Sequence, residues 1–326
     1  MNILYITLLV VLPFAFGVKE QEHWEKYKLE FKKSYDTVEE EQRKFNIFKD
    51  NLKMINAHNE KFKAGLTTYE MEVNKFADLT ADEYTTKYKM FPSQTFIYND
   101  TLPVANEIEH GEDNRTSEYL DWREKGAVTP AKNQGTCGAC WIFSAIGVLE
   151  GLYFRKYNKL ISFSEQNIVD CISNTSCLGG WPPRVLGYVE KHGITKEEEY
   201  PYQEKQGECR QDKFKSIKLP SIEILKIRDE EDALKEAVTK FGPVIVCVYA
   251  SSKWMFYKSG VWYEKECSYN SNHAMVLVGY GRENGADYWL VKNSMGKDWG
   301  DNGFIKIARN KHRNYCGITG TAFYVI

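Results

Sequence analysis

The hydrophobic pattern of the first ninety residues is helical. Trp24, Tyr27 and Phe31 recur at helical spacing, so they predict one apolar stripe on one helix. A second apolar stripe predicts another helix from Val38 to about Lys61. We therefore predict a helical N-terminal domain over residues 20–90.

The pattern changes after the second helix. Residues 69–76 alternate apolar and polar side chains, which predicts a short strand, and residues 78–83 have the composition of a capped third helix. Residues 92–118 carry prolines and acidic residues with weak periodicity, which favours an extended, exposed linker. We place a domain boundary at residue 116.

The rest of the chain is helix-rich first and strand-rich second. We predict helices over residues 140–157, 164–170 and 181–192. Beyond about residue 225 the strong patterns are runs of Val, Ile and Tyr that predict strands, at Val244–Ala250, Ala274–Tyr280, Tyr288–Lys292 and Gly303–Ala308. The pattern predicts an α+β protein with a mainly helical half over residues 116–225 and a mainly β half over residues 226–326.

Composition narrows the class of protein. The chain has 326 residues, 43% hydrophobic and 27% charged, and a net charge of −2. It therefore lacks the excess of positive charge that is typical of proteins that bind nucleic acid. Met1–Gly17 is apolar, short for a membrane span and ends in small residues, so it is typical of a cleaved signal peptide. The alternative is an N-terminal membrane anchor.

Entry into the secretory pathway would allow the cysteines to form disulfides and the sequons to be glycosylated. An oxidising compartment favours disulfide bonds, and the chain has eight cysteines, namely Cys137, Cys140, Cys171, Cys177, Cys209, Cys247, Cys267 and Cys316. Three sequons are candidate glycosylation sites, at Asn99, Asn114 and Asn174. We expect no metal and no cofactor.

Candidate chemistry begins at the segment Gln134–Trp141, where a glycine-containing turn runs into the apolar helix. A thiol at that position, Cys140, lies at the positive end of the helix dipole, which favours the nucleophilic thiolate. The side-chain amide of Gln134 and the backbone N–H of Cys140 could stabilise an oxyanion. Alternatively, Cys137 and Cys140 form a redox or metal-binding CxxC pair, or are buried small apolar residues.

A nucleophilic cysteine needs a base and an orienting group. Of the six histidines, His273 opens an apolar strand, and Asn293 ends the next strand along the chain. Adjacent strands would let the Asn293 carboxamide accept from the ring of His273 and fix its tautomer. A cysteine motif followed about 130–150 residues later by His and Asn is the spacing of the papain and cathepsin signature.

From Trp24 to Ile326 the chain resembles the papain-like cysteine proteases, cathepsin L subgroup. The resemblance rests on several long motifs in the right order, at Asp121–Pro130, Gln134–Trp141, Ser164–Asn167, Asn272–Ala274 and Asn293–Gly303. It implies a two-domain fold with a helical left domain and an antiparallel, β-barrel-like right domain. It also implies a cysteine-type endopeptidase without cofactors, which hydrolyses peptide bonds through a Cys140 thiolate–His273 imidazolium pair and an acyl-enzyme intermediate.

The N-terminal part resembles the inhibitory propeptide of the same family. Its motifs are Glu40, Lys44, Phe48, Asn51, Ile55 and Asn59, followed by Asn74, Phe76 and Asp78. The family usually has Arg at position 44 and Gly where this chain has Glu72. The resemblance implies a zymogen in which residues 18–115 inhibit a mature domain over 116–326, with cleavage near Thr116. A structural cap without inhibitory function is the alternative.

The resemblance also implies the cysteine pairing and the substrate-contacting residues. The implied disulfides are Cys137–Cys177, Cys171–Cys209 and Cys267–Cys316, which leave Cys140 as the nucleophile and Cys247 unpaired. The implied glycine-rich substrate turn is Gly179 and Gly180. The implied S2 wall, which suits a medium aliphatic P2 residue, is formed by Trp181, Pro182, Cys247, Ser271, Ala274 and Thr321. Trp299 is either part of the S1′ surface or a core aromatic.

Two positions depart from the family. Met295 stands where a tryptophan usually shields the His–Asn hydrogen bond, and Leu178 stands where the substrate turn usually has Asn. Met295 supports the alternative of a catalytically weakened homologue with a binding or antigenic role. A non-hydrolytic acyl transferase is a second alternative.

The expected partners follow from the resemblance. They are protein or peptide substrates, the chain's own propeptide and cystatin-type inhibitors, with neither nucleic acid nor a membrane anchor. We expect a monomer that is secreted or lysosomal.

Overall fold

The structure is a computed structural model that describes residues 20–88, 102–104, 117–172, 176–219, 221–265, 267–311 and 314–326. The predicted signal peptide, the three sequons, Thr116 and most of the predicted linker lie outside these residues. Linker residues 102–104 lie beside the strand Ile224–Lys226, because the Lys226 N–H donates to the Pro103 carbonyl at 3.0 Å.

The helices are α1 (residues 20–30), α2 (Val38–Lys63), α3 (Ala81–Lys87), α4 (Cys140–Tyr157), α5 (Glu165–Cys171), α6 (Pro182–His192) and α7 (Glu231–Phe241). Short 3₁₀ turns lie at Ser176–Leu178, Gln211–Lys213, Ser252–Phe256 and Tyr315–Gly317. The strands are β1 (Tyr69–Met71), β2 (Leu120–Asp121), β3 (Ile224–Lys226), β4 (Val244–Val248), β5 (Tyr257–Trp262), β6 (His273–Glu283), β7 (Ala286–Lys292), β8 (Phe304–Ala308) and β9 (Ala322–Val325).

Two N-terminal predictions need correction. The strand predicted over residues 69–76 ends at Met71, because Asn74 makes a turn in which its side chain accepts from the Phe76 N–H at 3.1 Å. The third helix begins at Ala81 rather than Asp78. Thr80 caps it through a reciprocal capping box with Glu83.

The β half contains a helix that the strand pattern did not predict. Helix α7 buries Ala233, Leu234, Ala237 and Val238 on one face, so the helical signal was present in the spacing. Strands β2, β3, β5 and β9 were also missed. Strand β5 alternates poorly because Lys258, Ser259 and Gly260 interrupt its apolar positions.

One sheet connects the two parts of the chain. The strand order is β1-β5-β8-β7-β6-β4-β9-β3, with β2 paired to β6. Most pairs are antiparallel, whereas β5 and β8 are parallel. Because β1 pairs with β5, the N-terminal domain adds a strand to the sheet of the C-terminal half.

Helix α4 packs directly against this sheet. Its first thirteen residues are buried on all faces, as expected for a helix enclosed by protein. Gly147 allows a close approach to β6, since a Cβ there would lie 2.8 Å from a Val276 methyl carbon. The N-terminus of α4 is thereby held beside the first residues of β6.

The cysteines form three disulfides. Cys137 is bonded to Cys177, Cys171 to Cys209 and Cys267 to Cys316. These are the pairs that the resemblance implies. Cys140 and Cys247 are free and buried.

Candidate active site

Cys140 is the first residue of α4 and 4% exposed. It packs in a small buried cluster with Cys247 and Ala274. The backbones of Ala274 and Trp141 act on its sulfur in the direction that favours the thiolate. The thiol therefore faces the residue that directly follows His273.

His273 opens β6, and Asn293 directly follows the last residue of β7. These strands are antiparallel neighbours, so the two side chains meet at one end of the sheet. The Nε2 atom of His273 lies 2.8 Å from the Asn293 Oδ1. That contact makes Nε2 the protonated nitrogen and leaves Nδ1 to exchange a proton elsewhere.

Burial decides the charge state of this pair in the full chain. It raises the pKa of the Cys140 thiol to about 11, although nearby backbone N–H groups favour the thiolate. Burial also lowers the pKa of His273 to about 4, against the opposing effect of the Asn293 hydrogen bond. Near neutral pH both groups are therefore uncharged, whereas the sequence led us to expect a thiolate–imidazolium pair.

Gln134 is held by contacts that the sequence did not reveal. Its backbone N–H donates to the Ser294 carbonyl at 2.8 Å, and its Oε1 accepts from the Ser294 hydroxyl. Tyr202 donates to the Gln134 carbonyl at 2.8 Å. One amide N–H reaches the Cys137 carbonyl at 3.2 Å, so the second remains for another acceptor.

The residues proposed for the S2 wall come from neighbouring elements. Cys247 on β4 lies opposite Ala274 on β6, and the Cys247 N–H donates to the Thr321 carbonyl at 2.9 Å. Trp181 and Pro182 come from the start of α6, and the Trp181 ring packs edge-on against Phe323. Ser271 is also buried and precedes β6 by two residues.

The glycine-rich turn lies beside the start of α4. Gly179 has a φ of +100°, which favours glycine. A Cβ at Gly180 would lie 2.5 Å from the Trp141 ring, so only glycine fits there without movement. Leu178, where the family has Asn, is 56% exposed.

Met295 and Trp299 are both fully buried in the precursor. The Trp299 indole N–H donates to the Trp254 carbonyl at 3.0 Å, and its ring packs near Tyr257. Trp299 therefore behaves as a core aromatic in this state.

A buried charge cluster, which the sequence did not reveal, supports the site from behind. It consists of Lys132, Glu150, Glu165 and Lys292. The Lys132 ammonium lies 2.8 Å from Glu165 and 3.3 Å from Glu150, and Lys292 lies 3.8 Å from Glu150. Burial alone would raise the pKa of Glu150, but the two ammonium groups hold it below its usual value.

The N-terminal domain covers the neighbouring surface. Beyond the pairing of β1 with β5, the Asn74 amide donates to the Met255 carbonyl at 2.7 Å in a buried position. The ammonium of Lys75 donates to the Met295 carbonyl, also at 2.7 Å. The motif residue Asp78 stabilises the N-terminal domain itself, because it accepts from Tyr27 and Lys33 at 2.7 Å.

Within the described residues, no group of His, Cys, Asp and Glu side chains is arranged to hold a metal ion. The helices of the described residues include none with the length and apolar character of a membrane span.

Two family models match the chain. The papain family cysteine protease model matches residues 116–326, and the cathepsin propeptide inhibitor domain model matches residues 24–84. The second match supports intramolecular inhibition by the N-terminal domain.

Known proteins match over nearly the whole length. Digestive cysteine proteinase 1 of Homarus americanus is 39% identical, covering 97% of this chain and 98% of the relative, and cathepsin K of Mus musculus is 38% identical, covering 97% of each. The solved structure of digestive procathepsin L2 proteinase from Tenebrio molitor larval midgut is 36% identical, with a TM-score of 0.84 over 94% of this chain and 99% of that one. The chain belongs to the papain family of cysteine proteases, as a precursor that carries a cathepsin-type inhibitory propeptide.

Proposed function

We propose that the protein is a cysteine endopeptidase of the secretory pathway whose nucleophile is Cys140. The observation that carries the proposal is the convergence of three elements. Cys140 at the start of α4 packs against Ala274, and the preceding residue, His273, is hydrogen-bonded to Asn293. A nucleophile, a base and an orienting group thus lie together.

The proposed chemistry is acyl transfer to sulfur and then to water. Once the site is uncovered, the Cys140 proton passes to Nδ1 of His273. The thiolate attacks the peptide carbonyl, a C–S bond forms, and the C–N bond breaks as His273 protonates the leaving amine. In the second half, His273 takes a proton from water, whose oxygen attacks the thioester and releases Cys140.

Gln134 is proposed to stabilise the oxyanion of both tetrahedral intermediates together with the Cys140 N–H. Such donors are effective when they are fixed before the reaction. The hydrogen bonds from Ser294 and Tyr202 fix the side chain and backbone of Gln134 in the precursor.

Replacement of Gln134 by alanine is expected to lower kcat by about 10²–10³ with a much smaller change in KM, because the lost donor acts mainly in the transition state. Steady-state kinetics on a dipeptide amide will check this. Ser294→Ala is the companion variant. It should lower kcat less, since it only loosens the orientation of Gln134. Unchanged kcat in Gln134→Ala would remove that residue from the site.

The substrate preference follows from the proposed S2 wall. Cys247, Ala274 and Trp181 are small or apolar, and none of the six proposed wall residues is acidic. We propose a medium aliphatic P2 residue, Val or Leu, and poor acceptance of Arg.

Activation is proposed to follow cleavage in the linker near Thr116. Acid favours the uncovered state through His273, whose pKa is lowered to about 4 by burial, from an ordinary 6.5. A lowered histidine pKa means that buried His273 binds its proton more weakly than a solvated histidine does, and we propose that uncovering the cleft solvates it. The covered state therefore loses stability as pH falls from about 6.5 towards 4.

A shift of the purified precursor from neutral to acid pH tests the proposed function. We expect a loss of mass that corresponds to cleavage near residue 116, together with turnover of dipeptide amides. Val or Leu at P2 should be cleaved faster than Arg. Processing without turnover would overturn the endopeptidase assignment, and a profile dominated by Arg at P2 would overturn the S2 assignment.

The remaining proposals concern the cellular context. The predicted signal peptide and the sequons support a secreted or lysosomal destination. We propose a monomer that acts on protein substrates and is a target for cystatin-type inhibitors. The weakened-homologue alternative rests on Met295 alone, whereas Cys140, His273, Asn293 and Gln134 all keep the side chains that catalysis needs.

A further inference from the structure

The precursor contains a bound ammonium group at the rim of the candidate active site. Lys75 of the N-terminal domain donates to the Met295 carbonyl at 2.7 Å and lies 3.0 Å from the Asp298 carboxylate. Its side chain is 19% exposed, and its ammonium lies 5.3 Å from the centre of the Phe76 ring. A carboxylate and a fixed carbonyl are the acceptors that an ammonium prefers.

The Met295 carbonyl is an acceptor fixed by the protease domain itself. Residues 294–296 run antiparallel to residues 132–134, because the Gln134 N–H donates to Ser294 and the Gly296 N–H donates to Lys132. In this pattern the intervening residue points its own N–H and C=O away from the partner segment. The carbonyl that holds Lys75 therefore keeps its outward direction when the N-terminal domain leaves.

The sheet order assigns this acceptor pair to one side of the scissile bond. Strand β6, which begins at His273, lies between β4 and β7. The proposed S2 residue Cys247 belongs to β4, whereas Asn293 follows β7 and leads directly to Asp298. A substrate with its P2 side chain near Cys247 therefore extends its leaving-group side towards Asp298.

The surroundings of Asp298 contain other carboxylates as well as the exposed ammonium of the adjacent Lys297. Burial raises the pKa of Tyr88 to about 12, with the charges of Glu204, Asp78 and Asp298 acting in the same direction. Asp78 leaves with the N-terminal domain, whereas Glu204 and Asp298 belong to the protease domain. Two carboxylates thus remain near this rim after activation.

We propose that Asp298 and the Met295 carbonyl form a binding site for a basic side chain on the leaving-group side of the substrate, between P1′ and P3′. Lys75 occupies this site in the precursor. The inference rests on the proposed function, because it assigns a specificity to the same cleft. When the N-terminal domain is released, Lys75 leaves the site and substrate can bind there.

The test uses the enzyme activated from the full chain and internally quenched peptides of one sequence. Lys is moved through P1′, P2′ and P3′, with Gln at the same position as the reference. We expect kcat/KM to be about 2- to 5-fold higher for Lys at one of these positions, since Asp298 is partly solvated. The preference should shrink at high salt.

Asp298→Asn should abolish the Lys preference while the Gln peptides are still cleaved. The matched control is Asp301→Asn, which removes the same charge from the same segment but from a side chain that accepts from Asn302; it should keep the preference. A Lys-to-Gln ratio near one in the wild type, or an unchanged ratio in Asp298→Asn, overturns the inference. Turnover without a Lys preference contradicts this inference alone. Inactivity on every peptide contradicts both the proposed function and this inference.

Discussion

Replacement of Cys140 by alanine is expected to lower kcat/KM by at least about 10⁴-fold, because removal of a nucleophile from a catalytic group that acts as a unit leaves only binding and oxyanion stabilisation. The variant precursor should also fail to process itself at acid pH. The measurements are turnover of a dipeptide amide, the mass of the precursor after the acid shift, and labelling by an epoxide probe that reacts with thiolates.

The chain provides a matched cysteine for comparison. Cys247 is the other free cysteine, and it is buried in the same cluster as Cys140. Burial and the neighbouring Cys140 raise its pKa well above the usual range for a thiol, so it is a poor nucleophile. Cys247→Ala should retain the probe label on Cys140, with its effect confined to the choice of P2 residue. A label on Cys247, or a fall in kcat/KM much smaller than about 10⁴-fold in Cys140→Ala, would contradict the assignment.

Replacement of Glu150 by glutamine is expected to destabilise the protease domain by about 3–5 kcal/mol, because one member of a buried ion cluster is removed while its partners stay buried. Glu150 is 1% exposed and faces both Lys132 and Lys292. It also accepts from the Phe163 N–H at 3.0 Å, which a glutamine oxygen could still do. The expected loss of unfolding free energy therefore comes from the removed charge and not from a lost hydrogen bond.

Chemical denaturation of the Cys140→Ala precursor, with and without Glu150→Gln, measures this change without self-digestion. Glu190→Gln is the control, because Glu190 is exposed on α6 and such surface changes stay within about 0.5 kcal/mol. A loss no larger than in the control would mean that the cluster adds nothing to the free energy of unfolding.

The charge state of Cys140 and His273 bears on how the precursor is kept inactive. Both groups are neutral in the covered precursor because burial penalises their charged forms. We expect the thiolate–imidazolium pair only in the enzyme from which the N-terminal domain has been removed. The N-terminal domain pairs through β1 with β5 and bonds to Met255 and Met295, so it is held beside the segment that carries Asn293.

The sequence by itself determined most of the helices, about half of the strands and the chemical types of the site residues. An apolar stretch behind a glycine-containing turn located α4 and Cys140 at its start, since helix periodicity and turn residues are local signals. A histidine at the mouth of a β-rich run and an asparagine at the end of the next one indicated the orienting pair. Helix α7 was missed although its pattern was equally local, because the neighbouring strand signals were stronger.

The tertiary structure alone decided which distant groups meet. Lys292 meets Glu150, and Ser294 holds Gln134, in both cases across more than a hundred residues of sequence. Lys75 reaches Asp298 for the same reason. Such contacts depend on strand order and on how closely α4 approaches β6, and neither is encoded in the spacing of hydrophobic residues along one segment. Burial, which sets the charges of Cys140 and His273, is likewise a property of the packed chain.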